Sequence, residues 1–433
     1  MKTAGKKVIN GWAMYDWANS VYNLVITTTF FPIYFTEVTK NYFKGELIPF
    51  FGTQFVNSAL YNYASAAAYL LIALISPILS SIADTRGNKK RFLLAFTLLG
   101  SISCCGLFWF YGSNVEYGTL CFLLATVGYC GGLVFYNSYL PEIAAPEDRD
   151  RISAKGFALG YIGSVILQLA GFVLVALEPF GLSGTAPIRI TFLLVGIWWM
   201  GFALFSLSRL PASKATVQTH YASAFTEGFA ELRKVYAQVR VMPVLKRFLR
   251  GFFFFSMGVQ TVMLAATLFG SKELNLPSTN LIVAVVVIQL VAVLGAWGIA
   301  RLSGIFGNLR VLIGVIVVWL GICIAGYRMQ TAMDFYILAT VVGLVMGGVQ
   351  SLSRSTYAKL MPETEDTTSF FSYYDVTEKL AIVIGMFSFG YIEELTGSMR
   401  NSVLALMLFF AIGLIWIISA LLKSRKEKAA GRM

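Results

Sequence analysis

Charged side chains, amides and hydroxyls stand inside stretches that are otherwise apolar. Near the start of the chain Asp16, Asn19, Ser20, Asn23 and Thr27 fall, at about 100° per residue, within one stripe roughly 100° wide. Toward the other end Asp375, Glu378 and Lys379 share a helical face, and Gln350, Ser353 and Arg354 precede them in the neighbouring apolar run. A charge in hydrocarbon costs about 2.5–3.5 kcal/mol even on the lenient insertion scale, so these groups should pair or face water. Three acids and two bases can form an inner-gate salt-bridge set or a site that takes up a coupling proton, and the residue types allow both. The stripe can line a cavity or glue helices together by hydrogen bonds, and a cavity wall is the expectation. Tyr136, Asn137, Gln168, Gln260 and Gln289 add uncharged hydrogen-bonding groups suited to a small polar or zwitterionic solute, with Asp16 to attract an ammonium group.

Other chemistries lack their residues. The single histidine, His220, sits in a polar segment, and the cysteines (Cys104, Cys105, Cys121, Cys130 and Cys323) all fall within apolar runs. Neither a disulfide framework nor a zinc site is indicated. No Gly-x-x-x-x-Gly-Lys-Ser/Thr phosphate loop occurs, which leaves ATP-driven pumping unsupported. No catalytic His, Ser/Lys pair or Asp pair is visible inside the apolar runs. The expectations are therefore no metal, no cofactor and no enzymatic activity.

The elements that must position these groups are long. Of 433 residues 57% are hydrophobic and 13% charged, where a soluble chain would carry about a quarter charged. Crossing a bilayer takes about 20 mostly apolar residues. Twelve such spans are predicted, at 12–35, 55–82, 92–111, 118–140, 157–177, 188–207, 248–269, 281–302, 311–327, 335–360, 371–395 and 403–422. They are continuous and too long for barrel strands. Asp16, Asn19 and Asn23 in the first, with no small-residue cleavage pattern after it, mark a retained helix and not a leader. Of the 34 Lys and Arg, 26 fall on the side of the termini, six on the other side and two within spans. Both termini are thus expected in the cytoplasm, and the net charge of +12 reflects this bias and contact with anionic lipid, not nucleic acid. With no Asn-x-Ser/Thr sequon, a bacterial inner membrane is the expected location.

The polar stretch after Arg209 divides the chain into a six-helix half at 1–210, a linker at 211–245 and a second six-helix half at 246–433. The linker holds a predicted surface helix over 225–239, with Phe225, Phe229, Leu232 and Tyr236 on its apolar face. Gly131-Gly132 before Leu140-Pro141-Glu142 is echoed by Gly347-Gly348 before Met361-Pro362-Glu363. Repeats of six helices with a site between them are a secondary-transporter architecture.

Ser80-Ser-Ile-Ala-Asp84-Thr-Arg-Gly87-Asn-Lys89-Lys90-Arg91 resembles the inner-loop signature of the major facilitator superfamily. Asp84, Gly87, Lys89 and Lys90 match it, whereas Ser80, Thr85 and Asn88 replace a glycine and two basic residues. Gly87 permits a tight turn, and a carboxylate there can accept hydrogen bonds from a facing helix N-terminus. The resemblance implies that this helix is the eleventh and that the contact holds the inner side closed. The second-half copy has Gly304 where the Asp would stand, so an acidic latch is expected in the first half alone.

A more specific likeness is carried by Gly11-Trp12-Ala-Met-Tyr15-Asp16-Trp17-Ala18-Asn19-Ser20, by Arg151-Ile-Ser-Ala-Lys-Gly156-Phe-Ala-Leu-Gly160-Tyr161 and by Phe370-Phe-Ser-Tyr-Tyr374-Asp375. These are similar to the autophagy-related vacuole-effluxer branch and its bacterial relatives. That resemblance implies an all-α major facilitator fold and efflux of amino acids. The expected activity is alternating-access transport of a small polar solute by a monomer, coupled to a proton or sodium ion. A sugar, peptide or drug-like cargo is the alternative, and a channel or intramembrane enzyme the remote one.

Overall fold

The computed structural model describes residues 2–177, 184–212 and 224–430. Its first helix, α1, continues through three stretches: Lys6–Val21, a π-helical Tyr22–Phe30, and Phe31–Phe43. The π stretch has local causes. Pro32 has no N–H to return along the helix, and the hydroxyls of Thr28 and Thr29 both donate to the Leu24 carbonyl, at 2.8 and 2.9 Å. Next come α2 (Asn57–Arg86), α3 (Lys89–Gly106), α4 (Val115–Asn137), α5 (Arg149–Leu177) and α6 (Ala186–Arg209). A linker helix, Ala224–Val241, leads to α7 (Pro243–Leu274), α8 (Ser278–Phe306), α9 (Asn308–Arg328), α10 (Ala332–Leu360), α11 (Thr367–Thr396) and α12 (Met399–Ala429).

Ten of these twelve are long and apolar enough to cross a membrane. The other two are α1, split among its three stretches, and α11, which carries five charged residues. Asp16 and Asn19 of α1 and Asp375 and Lys379 of α11 are buried among the other helices, so protein and not lipid surrounds them.

Within the first six helices α1 packs on α5 and α6, α2 on α4, and α3 on α4 and α6. Adding six to each number gives the main contacts of the second set: α7 on α11 and α12, α8 on α10, and α9 on α10 and α12. The sets meet through α2–α11, α5–α8 and α5–α10. Gly347 shows how close the α8–α10 contact is, since a Cβ there would stand 2.2 Å from the Ala292 carbonyl oxygen.

Two features depart from the sequence reading. Strands Leu47–Phe50 and Thr53–Val56 form an antiparallel hairpin between α1 and α2. Its turn residues, Phe51 and Gly52, both have positive φ, at 46° and 80°, as a two-residue hairpin turn requires. The linker helix buries Val235 and Val239 and exposes Tyr236, because that face lies on protein, against α2 and α11. The segment 213–223 with His220, and the side chains of Phe225, Phe229 and Leu232, lie outside the described residues.

Candidate functional site

A cavity of about 140 Å³ lies between the two sets of helices. Polar groups reach it from α1 (Asp16, Ser20, Asn23, Thr28), α4 (Asn137), α5 (Tyr161), α7 (Gln260), α10 (Gln350, Ser353, Arg354) and α11 (Glu378, Lys379). Tyr69, Phe157, Phe252 and Tyr374 supply aromatic wall.

The stripe on α1 differs by one residue from the expected one. Thr27 is buried away from the cavity and Thr28 lines it. A π turn takes in about one more residue than an α turn, so the face that an α-helix would give to Thr27 passes to Thr28. Asn19, at the edge of the stripe, is also buried outside the cavity, and neither its side-chain oxygen nor its nitrogen has a hydrogen-bond partner. Ser20 and Asn23 take the intervening positions on the wall.

The expected cluster of three acids and two bases is two separate groups. In the first, both terminal nitrogens of Arg354 lie 3.1 Å from Asp16 Oδ2. Arg354 also donates to Asn137 Oδ1 (3.1 Å), Ser153 Oγ (2.9 Å) and the Ser153 carbonyl (2.8 Å). Its guanidinium lies over Phe157 and Trp12, 4.2 and 4.8 Å from the ring centroids. Tyr136 is not on the cavity wall. It stacks between Trp12 and Tyr15 and donates to Asp16 Oδ2 at 2.8 Å. Asp16 therefore already has three charged or polar donors.

In the second group Lys379 Nζ stands 3.3 Å from Asp375 Oδ1 and 3.4 Å from Glu378 Oε2. Gln260 Nε2 donates to Glu378 Oε1 at 3.2 Å, while Asp375 Oδ2 is buried with no partner. Gln168 and Gln289 lie beyond the cavity, where Gln289 Nε2 donates to Gln168 Oε1 at 2.6 Å between α5 and α8.

On the side of the termini the two sets are tied by further polar contacts. Asp84 accepts the backbone N–H groups of Thr368 and Ser369 at the start of α11, at 3.2 and 2.8 Å, and the Ser369 hydroxyl at 2.9 Å. Gly87 turns the chain with φ of 63°. Buried Lys89 pairs with Glu142 and donates to Thr367 Oγ1 at 2.7 Å, and Lys90 donates to the Leu210 carbonyl at 3.0 Å. At the repeat-related junction, where the second-half turn has Gly304 in place of the Asp, the acid again comes from the first half and stands on the opposite partner. Asp150, at the start of α5, accepts from Ser303 Oγ (2.8 Å), Asn308 Nδ2 (2.8 Å) and Lys359 Nζ (2.6 Å). The α4–α5 connection holds several acids with no marker of which one faces the other half. The repeat itself was the available signal, since the α8–α9 turn had to meet the α5 N-terminus.

Twelve helices in two sets with one packing pattern, enclosing a polar cavity, define an integral membrane transporter of the major facilitator superfamily. The chain belongs within it to the family described as "Vacuole effluxer Atg22 like", whose model matches residues 4–430. It is 30% identical to the "Uncharacterized MFS-type transporter YxiO" of Bacillus subtilis over 94% of this chain and 93% of that one. It is 27% identical to "Autophagy-related protein 22" of Eremothecium gossypii, over 94% and 89%. In fold it is similar to the human organic anion transporter MFSD10, with a TM-score of 0.74 at 11% identity, covering 95% of this chain and 99% of that one. The transporter FucP in its outward conformation is similar at a TM-score of 0.67 and 13% identity, over 96% and 97%.

Proposed function

We propose that the protein is a secondary active transporter that carries a small zwitterion, an amino acid, by alternating access, with 1–210 and 246–433 rocking about the cavity as two units. The observation that carries this reading is the meeting of opposite charges on one small wall: Glu378 and Lys379 line the cavity beside neutral donors at Asn23, Gln260 and Tyr161. Glu378 suits the ammonium group of the cargo better than Asp16 does, because its side chain is 21% exposed to the cavity whereas that of Asp16 is 5% exposed and enclosed by Arg354 and Tyr136. Lys379 and the amides suit the carboxylate. The cavity, of about 140 Å³, is of a size for a small solute. A sugar would leave the charges unanswered, and a peptide of several residues exceeds the volume.

Asp16–Arg354, Asp84 with the α11 N-terminus, and Asp150–Lys359 all join opposite halves on the side of the termini. With that side cytoplasmic, in a bacterial plasma membrane, they are the closed inner gate of a monomer, and they must part together for the cavity to open inward. Proteoliposomes offered labelled amino acids, sugars and short peptides test the reading. At least one amino acid should be taken up, and Asn23→Leu should lose that uptake while eluting as the folded protein. Uptake confined to sugars or peptides, or normal uptake by Asn23→Leu, would overturn it.

A further inference from the structure

The two charged groups differ in their balance. Asp16 and Arg354 are one anion and one cation at 3.1 Å, with the remaining guanidinium hydrogens given to neutral acceptors. On α11 two carboxylates, Asp375 and Glu378, share the single ammonium of Lys379. Fully ionised, that group carries one net negative charge, on side chains that are 4% exposed at Asp375, 5% at Lys379 and 21% at Glu378, which faces the cavity. The charged and titratable groups facing it across the cavity from the surrounding elements are Asp16 of α1, Tyr69 of α2, Tyr129 and Cys130 of α4, Tyr161 of α5, Arg354 of α10 and Tyr374 of α11 itself, while α7 brings neutral Gln260. None of these supplies a second free cation, because Arg354 is committed to Asp16. Asp375 Oδ2, buried behind the wall that Glu378 and Lys379 form, is left with no partner, and so on the wall itself is the hydroxyl of Ser353, whose residue is 2% exposed.

An uncompensated charge buried at this depth is expensive. We propose that the Asp375–Glu378 pair holds one proton, seated at Asp375 Oδ2, and that this proton travels with the cargo. The cargo half of the statement rests on the zwitterion reading above. A zwitterion brings no net charge, so its arrival leaves the excess negative charge in place. Its carboxylate also competes for Lys379, which removes counter-charge from Asp375 and increases the demand for the proton. Binding of the two is therefore linked, and by reciprocity the proton strengthens cargo binding as much as cargo strengthens proton binding. The proton enters from the side to which the cavity is open and leaves to the other side when cargo departs and Lys379 returns to Asp375.

Infrared spectroscopy of the reconstituted full chain tests the proton without any cargo. A protonated-carboxyl band, shifted in D₂O, should be present at pH 7. It should disappear in Asp375→Asn and also in Glu378→Gln, because either change removes the excess charge, and it should persist in Asp16→Asn. Absence of the band in the wild type, or its survival in both α11 variants, would overturn the proposal. In a second arm an equimolar mixture of the common amino acids is added to proteoliposomes carrying an internal pH dye. Wild type should show proton entry with uptake, and Asp375→Asn should exchange amino acids across the membrane without proton entry. If the infrared pattern holds and no amino acid is transported, the zwitterion reading falls and the proton site stands. If amino acids move but the pattern fails, the reverse is true.

Discussion

Arg354 on α10 and Asp16 on α1, 338 residues apart in sequence, meet with both guanidinium terminal nitrogens on one carboxylate oxygen. The pair is enclosed, with side-chain exposures of 3% and 5%, and it joins the two halves of the transporter at the floor of the cavity. A buried pair of this kind says little about net stability, because desolvation of the two charges offsets their attraction.

Removing one partner leaves the other charge buried and alone, so Asp16→Asn and Arg354→Gln should each destabilise the inward-closed protein by about 3–5 kcal/mol. The double variant should be less destabilised than the sum of the two. Thermal unfolding in detergent measures the cycle, and strict additivity would show that the residues do not act as a pair.

Gly156 tests the same junction sterically. A Cβ there would lie 2.3 Å from Asp16 Oδ2 and 3.1 Å from Arg354 Nη2, so Gly156→Ala should cost about 1–3 kcal/mol. Gly201→Ala, with no atom within 4 Å of the added carbon, should be neutral or slightly stabilising. Equal melting temperatures for the two variants would contradict the packing described.

Asp84→Asn should leave the fold intact and loosen the inner side. A carboxylate at a helix N-terminus contributes about 0.3–1 kcal/mol, up to ~2 when partly buried. A cysteine at Ser372, which faces Ser76 across the halves at 3.1 Å, should then label severalfold faster. An unchanged labelling rate would reduce Asp84 to an ordinary loop charge.

The π stretch makes a prediction between neighbours. Thr28→Val changes the cavity wall and should reduce transport, whereas Thr27→Val replaces a buried hydroxyl that has no side-chain partner. That second change should leave transport unaltered and stability unchanged or higher. The opposite ranking of the two uptake rates would restore an uninterrupted α-helical register.

Topology is open to direct labelling. Single cysteines at the exposed positions Lys44 and Arg328 should react with an impermeant reagent from outside intact cells, and those at Arg151 and Lys426 only after permeabilisation. Reversed access in the second half would remove the six-plus-six arrangement from consideration.

Sequence alone determined the helices and their class. An apolar run about a bilayer long has few alternatives in lipid, because its backbone must satisfy its own hydrogen bonds. The family was equally legible, through the turn at Asp84 and Gly87 and the motifs around Asp16 and Asp375. What tertiary structure decided was partnership. A 100° projection assumes unbroken α-helix, and one π stretch before Pro32 moved the wall from Thr27 to Thr28. Three acids and two bases could be counted, but only the packing of α1, α4, α5 and α10 showed that Arg354 belongs to Asp16 and that Lys379 is left with two carboxylates. Asp150 gave no sign in its own loop, since its partners Ser303, Asn308 and Lys359 lie more than 150 residues away. Periodicity carries local geometry, whereas the pairing of charges depends on distances between helices that no local pattern encodes.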